Sequence, residues 1–322
     1  MEAVKRNFIL KSIYNSSKIK EGAIILLFIL MFILASVFVE DFFNSNNIIN
    51  LVRQISFLAI IGLGQFFVIL IGGIDMSVGS TIGLVSILLA DLMSSYQLPI
   101  ALAITIVLAV TVVVGWVNGL ISVYGHVTPF IATLITMIII KGFNFLYSNG
   151  IPISGLPREF NFLGAGYVGP IPFPIIIMIL IGAICYVLTM KTSIGRSLYA
   201  VGGNLEATKL SGINTNRIRI FAFILSSFLA GIGAILITSR TMSGQPAIGE
   251  AMLFDIITIV VLGGTSLTGG RGRVVGVIFA ALILGIIDNV MVLKGIDAYW
   301  QQVVKGVILA IVVLIDAHSK KE

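Results

Sequence analysis

The sequence predicts an all-α, polytopic membrane protein with about ten transmembrane helices, two glycine-broken segments and both termini in the cytoplasm. Hydrophobic residues make up 58% of the chain and charged residues 11%, and the mean hydropathy is +1.11. This composition excludes an ordinary soluble globular protein. The net charge of +6 comes largely from basic residues between apolar stretches, as membrane orientation requires, so no nucleic-acid partner is expected. Residues 1–322 are predicted to form a single transmembrane domain in the cell membrane.

Ten apolar stretches define the predicted helices, because about 20 residues are needed to cross about 30 Å of hydrocarbon. They are 22–39, 51–71, 76–95, 99–123, 128–147, 173–190, 218–238, 251–263, 274–293 and 298–315. The first follows a basic segment, as a cleavable signal peptide would, but it is too long and ends without a convincing cleavage site. Two stretches, 76–95 and 251–263, adjoin glycine pairs, and we expect half-helices or protein-buried segments there.

Charged residues assign the connecting segments to two sides of the membrane. The predicted cytoplasmic side holds the N-terminal segment 1–21, the loop 191–217, the pair Arg271 and Arg273, and the tail 316–322. The proline-rich segment 148–174 is predicted on the opposite side. An even number of passes satisfies this assignment, because both termini then lie on the same side.

Two glycine pairs interrupt apolar runs in a similar way. Gly72 and Gly73 precede Asp75, and the second pair, Gly263 and Gly264, precedes Ser266. Glycine readily adopts the backbone conformation that ends a helix, and an Asp or Ser can then cap the next one. Both breaks could be tight cytoplasmic turns, or the first could lie at a pathway with its polar residues facing a water-filled cavity. The sequence leaves these two interpretations open.

A short helix is predicted within the loop 191–217. Asn204 can cap it, Glu206 and Lys209 suit its first and last turns, and Gly212 can end it. A helix of about two turns is not stable alone in water. It must therefore dock on its own bundle or on a partner protein.

These features resemble those of a known transporter family. The matching runs are Gly72-Gly73-Ile74-Asp75-Met76-Ser77-Val78-Gly79-Ser80, Thr128-Pro129-Phe130-Ile131-Ala132-Thr133-Leu134, the 195–214 loop and Val261-Leu262-Gly263-Gly264-Thr265-Ser266-Leu267 with Gly269-Gly270-Arg271-Gly272-Arg273. In this order they resemble the ribose-type sugar permeases of ATP-binding-cassette (ABC) importers.

The resemblance implies a homodimeric permease that works with a cytoplasmic ABC ATPase and an extracytoplasmic sugar-binding protein. ATP and Mg²⁺ would bind to the ATPase, and this chain would bind no cofactor. Ribose is the first choice of cargo, and xylose, galactose, allose, autoinducer-2 and nucleosides are alternatives. The expected contacts with the ATPase are Gly195, Arg196, Gly202, Gly203, Asn204, Glu206, Ala207, Lys209, Ser211 and Gly212.

Polar residues within apolar runs are candidates for lining the translocation pathway, because such residues in membrane helices usually serve a function. They are Asp75, Ser77, Asn118, Lys141, Asn144 and Asn289. Lys141 could instead extend its ammonium group towards the membrane surface.

Other functional classes fit less well. A secondary transporter could use Asp75, Asp255 and Asp288 for ion coupling but would not need the docking helix. The sequence contains no P-loop motif, no histidine spacing typical of a metal site and no catalytic triad, so we expect neither catalytic residues nor a bound metal. A channel is disfavoured because no ring of charges or filter-like run is present.

Overall fold

The computed structural model describes residues 22–318. The predicted cytoplasmic N-terminal segment 1–21, and residues 319–322 of the predicted tail, lie outside this range. The first half of the described chain contains α1 (Gly22–Phe38), α2 (Ser45–Leu70), α3 (Val78–Ser94), α4 (Ile100–Tyr124) and α5 (Pro129–Ser148).

A connecting segment follows α5 and carries the β-structure found in the described chain. It contains the 3₁₀ helix Arg158–Phe160, α6 (Asn161–Ala165) and a hairpin of β1 (Tyr167–Val168) and β2 (Ile171–Pro172). The strands are antiparallel, with Tyr167 opposite Pro172 and Val168 opposite Ile171. The remaining elements are α7 (Phe173–Lys191), α8 (Ser193–Gly203), α9 (Leu205–Leu210), α10 (Thr215–Thr241), α11 (Leu253–Leu262), α12 (Val274–Leu293) and α13 (Ala298–His318).

Each of the ten predicted apolar stretches contains a helix. Within residues 22–318, seven helices are long and apolar enough to cross a membrane, whereas α1, α3 and α11 are shorter apolar helices. The prediction of an all-α, polytopic membrane protein is therefore confirmed. The count of ten passes stays a prediction, because the three short helices do not fix it.

Two helices begin earlier than their apolar patterns predict, because polar residues form their first turns. The side chain of Asn44 accepts a hydrogen bond from the Asn46 N–H at 2.9 Å and caps α2. Asn214 caps α10 in the same way, accepting from the Arg217 N–H at 3.1 Å. Asparagine is among the most favoured N-cap residues because its side-chain oxygen satisfies an otherwise unpaired amide.

The ends of the helices form two opposite faces. On one, which we call the basic face, Leu70 at the end of α2, the α8–α9 segment and the 263–273 loop lie together. There the Gly270 N–H donates to Leu70 O at 2.8 Å, and the Leu267 N–H donates to Asp316 at 3.2 Å. The other face carries the β1–β2 hairpin, and we call it the hairpin face.

The core is built around α2 and α10. In α2, 89% of the apolar window is buried, and in α10 the share is 67%, whereas α4, α5 and α13 have 22%, 28% and 0%. Glycines allow α4 and α10 to approach closely: a Cβ atom added to Gly115 would lie 2.5 Å from Phe223 O. Peripheral helices with apolar outer faces are expected where a bundle meets lipid or another membrane protein.

The chain between α10 and α11 is not helical, and it is partly buried against α3. From residue 242 to residue 252 it follows α3, so that Gly244 lies against Ser86 and Gly249 against Gly79. Non-helical backbone at membrane depth occurs only where protein covers it or where it lines a water-filled cavity. The predicted half-helix at 251–263 corresponds to α11, which has 10 residues.

Candidate functional site

The first glycine break has the predicted turn and hydrogen bond from the Ser77 N–H to Asp75, but the N-cap of α3 is Ser77 and not Asp75 as predicted. Gly72 has φ +80°, a backbone conformation that L side chains rarely adopt, and the chain reverses there after α2. The Asp75 carboxylate then accepts from the Ser77 N–H at 2.9 Å and from Ser77 Oγ at 2.6 Å. This arrangement orders the turn from which α3 begins at Val78.

The first break carries a buried network of hydrogen-bonded polar groups. The second carboxylate oxygen of Asp75 accepts from Ser226 Oγ at 3.0 Å, and Asn118 Nδ2 donates to Ser77 Oγ at 2.8 Å. With its amide oxygen and nitrogen oriented to satisfy both groups, Gln65 pairs with the backbone N–H and C=O of Asp75 at 3.1 and 3.2 Å. All five residues have no exposed surface. The structure thus brings three pathway candidates together, but it encloses them within the bundle.

Ser226 and Gln65 were not among the predicted site residues. Each is a polar side chain inside an apolar run, which is the same signal that identified Asn118. Their contact with Asp75 joins α2, the break and α10, which sequence periodicity alone does not reveal.

The N-terminus of α5 also packs against the first glycine break and forms hydrogen bonds with it. Thr133 Oγ1 accepts from the Met76 N–H at 2.9 Å and lies 3.1 Å from Ile74 O. A Cβ atom on Gly73 would lie 2.9 Å from Pro129 Cβ. The 128–134 run is therefore a packing partner of the 72–80 run.

Asn144 and Lys141 lie beyond this network on α5. Asn144 is fully buried, and its Nδ2 donates to Ser80 O at 2.9 Å and lies 3.4 Å from Pro246 O. The Lys141 ammonium binds a Glu250 carboxylate oxygen at 2.8 Å. Lys141 is thus paired within the chain.

Asn289 is remote from the other candidates. It exchanges two side-chain hydrogen bonds with Asn47, at 2.9 and 2.7 Å, between the start of α2 and the last turns of α12. The structure does not bring it to the Asp75 network.

The second glycine break differs from the first. Ser266 does not cap a helix: its N–H donates to Arg271 O at 3.0 Å, and α12 begins only at Val274. The prediction of a capping role for Ser266 is wrong. The reason is that Gly269 and Gly270, with φ +86° and +73°, bend the chain into a tight loop instead of a helical turn.

The predicted short helix of the 191–217 loop is confirmed as α9. Asn204 Oδ1 accepts from the Ala207 N–H at 2.9 Å, and Gly212 has φ +80° just after the helix. In α9 only Thr208 is buried, whereas Leu210 is 88% exposed. The helix therefore presents most of its surface away from its own bundle.

A second helix, α8, precedes α9 and was not predicted. Its N-cap is Thr192, whose hydroxyl accepts from the Gly195 N–H at 3.1 Å. Three glycines lower the helix propensity of this segment, which hides the helix from a pattern analysis.

Helix α8 connects the exposed α9 to the end of α2, beside the first glycine break, and to the loop that follows the second. A Cβ atom on Gly202 would lie 1.9 Å from Leu70 O and 2.5 Å from Gly270 N, whereas one on Gly203 would meet nothing within 4 Å. We call the contact between Gly202, Leu70 and Gly270 the glycine junction.

The predicted coupling residues divide between these two environments. Gly195 and Gly202 face the bundle, Gly195 being buried. The exposed members are Arg196, Gly203, Asn204, Glu206, Ala207, Lys209, Ser211 and Gly212.

A cluster of charges lies where α11, α12 and α13 meet. Lys305 Nζ is 2.8 Å from an Asp255 oxygen and 3.0 Å from an Asp288 oxygen. Two of the three carboxylates that could have served ion coupling therefore share one ammonium group within the protein.

Comparison with known proteins identifies similar chains over nearly the whole length. The family described as the permease component of the branched-chain amino acid transport system matches residues 47–313. The ribose import permease protein RbsC of Haemophilus influenzae is 43% identical, over 90% of this chain and 91% of that protein. RbsC of Bacillus subtilis is 42% identical, over 92% of each chain. The galactose/methyl galactoside import permease protein MglC of Haemophilus influenzae is 34% identical, over 94% of this chain and 96% of that protein. No solved structure matches.

Proposed function

Because this chain belongs to the family of ABC-importer permease components, and to its ribose-type sugar branch, we propose that it moves a monosaccharide across the bacterial cell membrane, with ribose as the first choice. The observation that carries this proposal is the α8–α9 segment. Its exposed part is available to a partner, and its other part packs against the end of α2, beside the first glycine break, and against the loop that follows the second. A transporter driven by a separate cytoplasmic subunit needs such an element.

The proposed assembly contains two copies of this chain, a cytoplasmic ABC ATPase and an extracytoplasmic sugar-binding protein. ATP and Mg²⁺ bind to the ATPase, so that hydrolysis takes place outside this chain. Helix α9 docks on the ATPase, and α8 transmits the motion of the ATPase to the ends of α2 and α11. The pathway lies between the two copies and opens alternately to each side of the membrane.

The proposed orientation places the basic face in the cytoplasm and gives ten passes with both termini inside. Its support is the distribution of basic residues, because cytoplasmic loops are enriched in Lys and Arg. Those on the basic face are Lys191, Arg196, Lys209, Arg217, Arg271 and Arg273.

Of two alternatives, a different sugar has specific support and ion coupling does not. A galactose-type sugar is possible because one relative is named as a galactose permease. An ion-coupled secondary transporter is less favoured, because Lys305 already binds Asp255 and Asp288, and serine hydroxyls already bind Asp75.

Uptake in membrane vesicles that contain the whole assembly tests the proposal. We expect radiolabelled ribose to enter only when ATP and the binding protein are present, and to continue entering when a protonophore is added. A panel with xylose, allose and galactose identifies the cargo. Uptake that stops with the protonophore at constant ATP would contradict the ABC mechanism.

A further inference from the structure

An ion pair lies on the outer surface of the bundle at membrane depth. Lys141 follows Pro129 by 12 residues and precedes Ser148 by 7, which places it about 18 Å from one end of α5 and about 10 Å from the other. Its partner is Glu250, and the two side chains are 49% and 35% exposed. The pair is therefore neither buried in the bundle nor close to an end of the helix.

Lipid hydrocarbon does not stabilise this charged surface. Charged side chains within a membrane usually face a protein interior or a water-filled cavity, because hydrocarbon does not solvate them. Glu250 also belongs to the non-helical segment 242–252, and backbone of that kind is not found against lipid. Two independent features thus indicate that water or protein covers this face of α5.

The pair has hydrogen-bonding capacity to spare. Glu250 Oε2 binds Lys141 and keeps a second acceptor site, whereas Oε1 is buried and has no partner within residues 22–318. The ammonium group of a lysine carries three donors, and the contact with Glu250 uses one.

We propose that Lys141 and Glu250 together bind hydroxyl groups of the sugar as it passes between the two copies. Glu250 Oε2 accepts a hydrogen bond from one hydroxyl, and the Lys141 ammonium group donates to the oxygen of a neighbouring hydroxyl. Both bonds are charge-assisted. The two charges cancel, so the pair suits a neutral polyhydroxy solute rather than an ion. This inference rests on the proposed sugar transport and adds Glu250 to the pathway residues.

Thiol labelling in the assembled transporter tests whether this face meets water. The one cysteine of the chain, Cys185, is buried and is replaced by Ala as the background. Single cysteines then replace Glu250, Ile138 or Ile184. Ile138 lies one turn from Lys141 on α5, so its variant keeps the ion pair, and Ile184 is an exposed apolar residue of α7 that serves as the lipid-facing control.

We expect a charged, water-soluble methanethiosulfonate to modify the Glu250→Cys and Ile138→Cys variants but not Ile184→Cys. Ribose at ten times its dissociation constant should slow modification about tenfold, since most sites are then occupied. Lack of modification at both positions would overturn the inference. Modification that ribose and the other panel sugars do not slow would overturn the binding role.

Kinetics separate binding from a purely structural ion pair. Lys141→Met and Glu250→Gln should raise the KM for uptake about tenfold, whereas Lys294→Met, on an exposed loop, should not. The double variant Lys141→Glu with Glu250→Lys restores the ion pair but exchanges donor and acceptor. We expect normal membrane levels and a raised KM, and full recovery of KM would contradict sugar binding.

Failure of this inference is distinct from failure of the proposed function. If the wild-type assembly imports ribose while the α5 positions resist labelling, transport stands and the Lys141–Glu250 site is wrong. If the wild-type assembly imports no sugar of the panel, the proposed function fails, and the sugar-binding role fails with it.

Discussion

Replacing Gly202 by Ala adds one atom, a Cβ, to the glycine junction. The new Cβ would lie 1.9 Å from Leu70 O, so α8 and the end of α2 must separate by about 1 Å or more. Overpacking of this kind costs about 1–3 kcal/mol. Leu70 O also accepts from the Gly270 N–H at 2.8 Å, and losing that bond adds about 0.5–1.5 kcal/mol. Together these two effects amount to about 1.5–4.5 kcal/mol of destabilisation.

Gly203→Ala is a matched control, because Gly203 is the next residue of α8 and its added Cβ meets nothing within 4 Å. Both substitutions improve the intrinsic helix propensity by about 0.5–1 kcal/mol. Propensity therefore makes Gly203→Ala neutral or slightly stabilising, and the difference between the two variants isolates the junction.

Two assays, thermal unfolding and sugar uptake, compare the Gly202→Ala and Gly203→Ala variants. Thermal unfolding of the purified permease should show a lower Tm for Gly202→Ala than for Gly203→Ala. In vesicles with the ATPase and the binding protein, Gly202→Ala should retain ATP hydrolysis but lose most sugar uptake, because the motion no longer reaches the breaks. Equal Tm and equal uptake in the two variants would refute the role of the junction.

Three further predictions concern other contacts. Ala207→Trp should prevent co-purification with the ATPase because Ala207 is exposed on α9, and unimpaired association and uptake would contradict the coupling assignment. Ser226→Ala should lower the free energy of unfolding by about 1–3 kcal/mol, because Asp75 loses a buried hydrogen bond. Ser227→Ala is its control and should be neutral or stabilising, since that buried hydroxyl has no partner within residues 22–318. Lys305→Met should destabilise by about 3–5 kcal/mol by leaving both of its carboxylate partners unpaired, and an unchanged Tm would show that they do not depend on it.

The helical stretches could be predicted because membrane helices are continuous apolar runs, and the cap at Asn204 could be predicted because capping is local. The same reasoning failed where local signals conflict with packing. Helix α8 contains glycines that disfavour a helix, yet it is held against Leu70. Ser266 resembles Asp75 in its sequence setting, but the glycines after it form a loop.

The partners of the predicted polar residues could not be inferred from the sequence. Asp75 meets Ser226, Lys141 meets Glu250 and Lys305 meets two acids, all through contacts between distant segments. Hydrophobic periodicity identifies a buried face but not the helix that covers it. For each of these contacts the sequence analysis named one side, Asp75 and Lys141 as pathway candidates and the two acids for ion coupling, and missed the other.

The position of Lys305 along the chain has a consequence for biogenesis. Asp255 and Asp288 are both synthesised before it, and α13, which brings its charge, has no buried residue. Because translation runs from the N-terminus, both acids enter the bilayer before their cation arrives. A nascent or truncated chain that lacks α13 thus exposes uncompensated acids in the bilayer, a chemical difference by which quality control can distinguish it from the finished protein.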